Sequence, residues 1–500
     1  MRPIDFFFRA AQQYPQRIAL DSPAATFTYA RLSDQVQALA HALQAMDPAP
    51  LSRVAICASN SAAHIIALLA TLAADKVWVP LNYRTSAAEI SRIIDATSPS
   101  IVIVDALGDP LVDSGAAQRI SLDESGPASL ASLLAQHAGQ SPVRHELSRD
   151  EPQALKFTGG TTGLPKGVMQ PRRAWNTVIN NQITGWGLTQ DDRYVVAAPV
   201  THGTSTYLLP MLAQGGALVL LDAVNPASIT AAFRERGGTL TFMPPTLIYM
   251  IMAQAGVTRS DFPALRALIY GGAPMPAEKI SQVRAFFGPV LGTTYGQTEA
   301  PQLVTMMRPA DFSDTARHGS VGRVTLLSKL NIVAPDGRVL PAGEIGEVVV
   351  SGDLVMTGYW RRPELTAQTL INGWLHTGDL GMLDDDGYLY LKDRLRDVII
   401  TGGFNVYPVD VENTLSQHPA VYESSVYGVP DEKWGEAVQA AVQLHDGANA
   451  TTDELMSFVK TRLGPVQTPK RIHLFPSLPR SSVGKVLKNA VRDAALKETA

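Results

Sequence analysis

The chain has 500 residues, 45% hydrophobic and 18% charged, a composition that describes a globular protein with more than one core. Its net charge of −4 and pI near 6.2 offer no electrostatic case for nucleic acid, and no run of about 18 apolar residues is present for stable membrane insertion. A single cysteine, Cys57, excludes an internal disulfide and a cysteine-cluster metal site. Met1 to Arg9 is too soon charged for a signal peptide and the closing Lys-Glu-Thr-Ala is no peroxisomal address, so the expected location is cytoplasmic.

In chain order, apolar residues at Phe7, Ala10, Ala11 and Tyr14 predict a first helix, followed by strands around 19–20 and 26–29. Leu32, Val36, Leu39, Ala40 and Leu43 carry the next helix. Strands are expected at 54–57, 77–81 and 101–104, with a helix over 60–72 that is apolar on most faces and so packs inside the core. Strand alternating with helix argues for a parallel α/β sheet. From 105 to 150 the chain turns more polar, with Ala-rich helix-like pieces.

Residues 157–167 read Phe-Thr-Gly-Gly-Thr-Thr-Gly-Leu-Pro-Lys-Gly. Gly159, Gly160, Gly163 and Gly167 let the backbone bring its N–H groups close to an anion. Thr158, Thr161 and Thr162 can donate to phosphate oxygens, and Lys166 adds a mobile positive charge. A strand–loop–strand or loop–strand setting is expected. The P-loop of nucleotide hydrolases does not fit, because Lys166 follows Pro165 and precedes Gly167; nor does the dinucleotide fingerprint. The stretch resembles the signature of the adenylate-forming enzymes, which include acyl-CoA synthetases, peptide-synthetase adenylation domains and luciferases. Gly159 stands where that signature has a serine, which removes one hydroxyl from the phosphate grip.

Beyond it, 174–186 is expected to be helical and 194–199 a buried strand running into Val200-Thr201-His202-Gly203. His202 stands at a strand end, a usual place for ligand groups in open α/β sheets. A serine hydrolase using His202 with Ser205 is a rival, but Gly203-Thr204-Ser205-Thr206-Tyr207 lacks the last glycine of a nucleophile elbow. A helix over 205–214 and strands at 217–221 and 239–243 follow. Leu268 to Pro274 is a strand ending in Gly271-Gly272-Ala273, where glycines permit a flat ring to lie against the backbone. Thr293-Thr294-Tyr295-Gly296-Gln297-Thr298-Glu299 resembles the family's Tyr-Gly-x-Thr-Glu. Tyr295 offers a face to a purine and Glu299 a hard oxygen to Mg²⁺.

Residues 320–395 have the look of a β-rich subdomain, with strands at 330–333, 347–350 and 388–391 between Gly, Pro and Asp turns. Within it Thr377-Gly378-Asp379 matches a family motif, and a carboxylate such as Asp379 can accept from both ribose hydroxyls. Asp393-Arg394-Leu395-Arg396-Asp397 is a charge-dense linker; the resemblance gives Arg394 to ribose or phosphate and makes Arg396 the hinge. Gly402-Gly403-Phe404 follows as a turn past which a pantetheine arm could thread. The last segment predicts helices at 410–418 and 452–463 and strands at 424–429 and 437–444. It closes on Pro479-Arg480-Ser481-Ser482-Val483-Gly484-Lys485, which resembles the family's Pro-Arg-Thr-x-x-Gly-Lys and marks Lys485 as the catalytic lysine.

The resemblance implies an α/β fold: a large N-terminal domain of stacked α/β sheets with a β subdomain (1–393), a hinge (394–396) and a small mobile α+β domain (397–500). The implied partners are a carboxylic acid, ATP and CoA, with Mg²⁺ at Glu299 and Thr162; an oligomer is compatible. The implied ATP site comprises Thr158 to Gly163, Lys166, Gly271 to Ala273, Thr294 to Gly296, Thr298, Asp379 and Arg394. Lys485, Glu299 and Arg394 would act in catalysis, and Gly402, Gly403 and Phe404 would meet CoA. The acyl pocket would draw on His202, Tyr207, Met243, Ala273, Thr293 and Pro301, compatible with an aryl, arylpropenoic or medium-chain acid. Val200 to Ser205 lacks the aspartate with which amino-acid-activating relatives hold an ammonium. Loading of a separate carrier protein, and a binding protein without catalysis, are the other readings.

Overall fold

The computed structural model describes residues 1–113, 115, 117–123, 125–158, 166–481 and 486–497, and among these the strands form four sheets. One sheet has nine strands and another seven, and both belong to the N-terminal part of the chain. A single core cluster joins them. It takes Leu218, Leu240 and Ile269 from the first, Ile56, Trp78 and Ile101 from the second, and the helices Tyr29–Met46, Ala62–Ala73, Arg172–Trp186 and Ser205–Ala213 from between.

Ala62–Ala73 shows why such a helix forms and stays inside. The Ser61 hydroxyl caps it by accepting from the His64 N–H at 3.1 Å, and its residues from His64 to Ala73 are buried on every side. Helices Pro226–Arg236, Pro245–Met252 and Ala277–Phe287 cover the outer face of the nine-stranded sheet, so the layers stack as the resemblance implies.

Two local expectations change. The strand at 194–199 is only Arg193–Val195, because Asn60 takes over the backbone beyond it: its amide donates to the Ala198 carbonyl at 2.8 Å and accepts from the Val200 N–H at 3.1 Å. A helix absent from the sequence reading occupies Ala87–Thr97, capped by Ser86 and burying Ile90, Ile93, Ile94 and Thr97 at helical spacing.

The β-rich expectation holds as a five-stranded sheet of Lys329–Val333, Gly346–Ser351, Leu370–Ile371, Trp374–Leu383 and Leu389–Arg394. Its core cluster includes Val168 of the seven-stranded sheet and Tyr295 of the nine-stranded one, so three sheets meet at Tyr295. The C-terminal part forms its own five-stranded sheet with its own core, Val411, Val426, Val438, Val442, Leu455 and Ile472 among it. Its helix Thr452–Leu463 starts on a capping box between Thr451 and Glu454.

Candidate active site

The strands Arg193–Val195, Leu240–Met243, Ala267–Tyr270 and Leu291–Tyr295 run parallel, so their carboxyl ends, and the segments after them, open on one edge of the sheet. From the other sheet, Pro152–Thr158 and Lys166–Pro171 form an antiparallel pair with Thr158 opposite Lys166. Thr158 and Lys166 thus stand side by side at the two ends of the Gly/Thr stretch. Gly159, Gly160, Thr161, Thr162 and Gly163 lie outside the described residues, as does Lys485.

Asp379 is the centre of the site. Its carboxylate is 6% exposed. Oδ2 accepts from the Tyr295 hydroxyl at 2.6 Å and from the Gln297 amide, while Oδ1 pairs with Arg394 Nε at 2.7 Å. Burial first, and then the Asp379 charge, hold the Tyr295 hydroxyl protonated far above its ordinary range, so it remains a donor. A carboxylate has about four acceptor positions, and these contacts leave room for a further hydroxyl donor.

The chain around this carboxylate is shaped by close approaches. A Cβ on Gly296 would lie 3.0 Å from the Ala300 carbonyl oxygen, so only glycine lets the segment fold back after Tyr295. A Cβ on Gly271 would meet the Phe242 ring at 2.9 Å and the Thr294 carbonyl oxygen at 3.2 Å. Gly272 adopts φ +79°, and the chain turns out of the sheet there before Ala273. Thr298 is held through its carbonyl, which accepts from Gln170 at 2.9 Å.

Lys166 and Glu299 meet on one ring. Lys166 Nζ lies 5.7 Å over Tyr359, whose hydroxyl donates to Glu299 at 2.8 Å. Among the described residues no three His, Cys, Asp or Glu side chains converge as a metal site. A single carboxylate completed by substrate phosphates is nevertheless a donor set that Mg²⁺ accepts.

The acyl candidates divide. Tyr207 is buried in a stack, 5.4 Å from Tyr194 and 5.2 Å from Phe242 between ring centroids. His202 is exposed, yet desolvation of its ring, then the neighbouring Lys156 charge, lower its pKa to about 4, so the ring is neutral near pH 7. Pro301 lines a small pocket with Gln170, Trp175, Ser205 and Thr206. Thr293 is fixed in the sheet, donating to the Tyr270 carbonyl at 3.1 Å. Met243 is not brought to this group. It is fully buried in the outer cluster with Val195 and Ile248, on the opposite face of its strand from Phe242.

Arg396 lies in the short 3-10 turn Leu395–Asp397, its side chain 62% exposed and 3.6 Å from Asp397. Just before it, Asp393 is 3.8 Å from Lys488, which is also 3.5 Å from Glu412; this ties the strand before Arg396 to two C-terminal helices. Gly402 and Gly403 take φ +57° and +83°, the two left-handed positions of a tight hairpin, and Phe404 beyond them is 61% exposed.

Sequence reasoning passed over Gln297, Tyr359 and Lys156. Gln297 was in plain view inside a motif. Tyr359 pairs into the seven-stranded sheet far from any motif, so no local signal marks it. Lys156 did carry one: a charge set among Ala154, Leu155 and Phe157.

The chain is 36% identical over 488 residues to a feruloyl-CoA synthase from Amycolatopsis sp, covering 97% of each. It is 32% identical to the fatty acid–[acyl-carrier-protein] ligase ScoC of Streptomyces coeruleorubidus, covering 97% of this chain and 94% of the other. Among solved structures, the amide bond synthetase McbA from Marinactinospora thermotolerans superposes with a TM-score of 0.90 at 31% identity, covering 99% of this chain and 100% of that one. Residues 410–485 match the AMP-binding enzyme C-terminal domain and residues 7–360 the AMP-binding enzyme family itself. The chain belongs to the AMP-binding enzymes, the adenylate-forming superfamily that its motifs resemble.

Proposed function

We propose that the protein is an ATP-dependent acid–thiol ligase that activates a carboxylic acid as acyl-AMP and transfers the acyl group to CoA. The observation that carries this reading is the Asp379 carboxylate, buried, tied to Tyr295 and Arg394, and retaining acceptor capacity suited to ribose hydroxyls. In the first step a carboxylate oxygen bonds to the α-phosphorus of ATP as the bond to the bridging oxygen breaks and pyrophosphate leaves. Lys166, with Thr158, Thr161 and Thr162, would hold the outer phosphates. Mg²⁺ at Glu299 and Thr162 would neutralise charge on the leaving pyrophosphate. Lys485 would do the same between carboxylate and α-phosphate.

In the second step the C-terminal domain would turn about Arg396 and bring Gly402, Gly403 and Phe404 to the site, with Lys485 withdrawn. The CoA sulfur bonds to the acyl carbon, the acyl C–O bond breaks, AMP leaves and the thiol proton passes to solvent. The stack of Tyr194, Tyr207 and Phe242 supports an aromatic, arylpropenoic or medium-chain acid. The feruloyl-CoA synthase and the fatty acid ligase fall on the two sides of that class.

A carrier-protein acceptor is the second reading, favoured by the likeness to ScoC. The test is AMP and pyrophosphate release from ATP-Mg²⁺ over benzoates, cinnamates, short and medium-chain acids and amino acids, with and without CoA. Steady turnover that needs CoA for one acid class is the expected result. A single equivalent of pyrophosphate, unaffected by CoA, would transfer the assignment to a carrier-protein or amine acceptor.

A further inference from the structure

Lys156 is a buried lysine that no carboxylate among the described residues pairs with. It sits in Pro152–Thr158 and is 7% exposed. Its Nζ donates to Ser205 Oγ at 2.6 Å and, at 3.5 Å, to the His202 carbonyl. Ser205 spends its own proton on that carbonyl at 2.7 Å, so it serves Lys156 only as an acceptor. The rings of Trp78 and Trp175 lie 5.0 and 5.8 Å from the ammonium. Neutral acceptors and two ring faces leave a desolvated ammonium under-compensated. Burial accordingly lowers its pKa to about 7.

Its position gives that charge a use. Ser205 and Trp175, both in contact with Lys156, line the small pocket that Pro301 and Gln170 complete. Two residues of strand set Lys156 about 7 Å deeper than Thr158, where the phosphate grip begins. An acid activated beside Thr158 and extending back along this strand would bring its far end to Lys156. The rest of the pocket wall is apolar except for Thr206, whose hydroxyl is spent on the Gly203 carbonyl at 2.6 Å.

We propose that Lys156 is a specificity-determining residue of the acyl site, presenting its Nζ to an oxygen acceptor, a phenolic hydroxyl or a second carboxylate, on the end of the acid remote from the carboxyl being activated. This rests on the acid-activating reading above and narrows its substrate class to oxygen-bearing acids. An incoming acceptor completes the solvation that the fold withholds, and an unsubstituted acid leaves Lys156 as under-compensated as before.

The experiment is acid-dependent ATP–pyrophosphate exchange, which needs no acyl acceptor, with cinnamic, 4-hydroxycinnamic and 4-carboxycinnamic acids. Wild type is expected to favour at least one oxygenated acid over cinnamic acid by tenfold or more in kcat/KM; the acid favoured tells phenol from carboxylate. Lys156→Met, close in length and apolar, is expected to lose at least tenfold more on that acid than on cinnamic acid. An equal loss on all acids, with a lowered Tm, would make Lys156 a packing residue and overturn the proposal. A wild-type ratio near one overturns it without any variant. Exchange with no acid would instead overturn the acid-activating reading itself.

Discussion

Asp379 and Lys156 are both more than nine-tenths buried, at 6% and 7% exposed, yet the fold provides for them in opposite ways. Asp379 is answered in kind: a guanidinium, a phenol and an amide converge on its two oxygens. Lys156 receives a hydroxyl, a distant carbonyl and two indole faces and, among the described residues, no charge. A charge paired within the protein is held in one geometry before any ligand arrives, as the part of a site that meets an invariant substrate requires. A charge left short of partners gains most from a ligand that supplies one, which suits the part that chooses between substrates.

The largest effect should follow from breaking the paired side of that contrast. Asp379→Ala leaves Arg394 and Tyr295 without their carboxylate and, on the proposed reading, takes away the ribose acceptor. Loss of charge-assisted hydrogen bonds at about 1.5–3 kcal/mol each predicts about a hundredfold lower kcat/KM for ATP, read by pyrophosphate exchange at varied ATP. Next comes the pairing at the domain junction. Lys488→Met strands Asp393 and Glu412, both of which burial already pushes above the ordinary carboxylate range. A loss of about 2 kcal/mol, discounted for the partial exposure of Lys488, is expected in urea unfolding followed by a C-terminal probe.

The unpaired side is sharpened by pH. Lys156 titrates near 7 when folded and at its ordinary value, about 10.4, when unfolded. Between those values the unfolded chain holds a proton that the folded chain lacks, so stability rises with pH across that window, by at most about 1.4 kcal/mol per unit. Around Lys156, His202 is already neutral there, and Ser205, Trp78 and Trp175 carry no charge. The stability of wild type relative to Lys156→Met should therefore increase from pH 7 to pH 9 in denaturant titrations; a constant difference would place the lysine charge in solvent. The smallest effect belongs to Tyr359→Phe, which removes one hydrogen bond from Glu299. A cost of about 1 kcal/mol predicts a severalfold higher Mg²⁺ requirement for exchange, with the ATP requirement moved less.

Periodicity in the sequence was enough to place the layers, because helices buried between two sheets are apolar all round, as Ala62–Ala73 is. The motifs likewise led to Asp379, Tyr295 and Arg394, whose chemistry is carried by short contiguous stretches. What stayed hidden depends on tertiary approach. Asn60 cuts short the strand Arg193–Val195 from another sheet's helix cap region, and Tyr359 reaches Glu299 across sixty residues of chain. Met243 was drawn toward the pocket by its strand-end position, but strand alternation turns it to the outer core while Phe242 faces inward. Lys156 was legible as an anomaly, a charge in an apolar strand. Its meaning needed the distances to Ser205, Trp78 and Trp175.

The central claim is that the acid is activated through an acyl–AMP bond, and isotope transfer tests it most directly. A substrate acid labelled with ¹⁸O in its carboxylate would be turned over with ATP-Mg²⁺ and CoA, and the nucleotide product examined by mass spectrometry. If the carboxylate oxygen bonds to the α-phosphorus and the thiol then breaks the acyl C–O bond, each AMP carries one ¹⁸O from the acid. Unlabelled AMP, or label found in pyrophosphate or phosphate, would contradict the account.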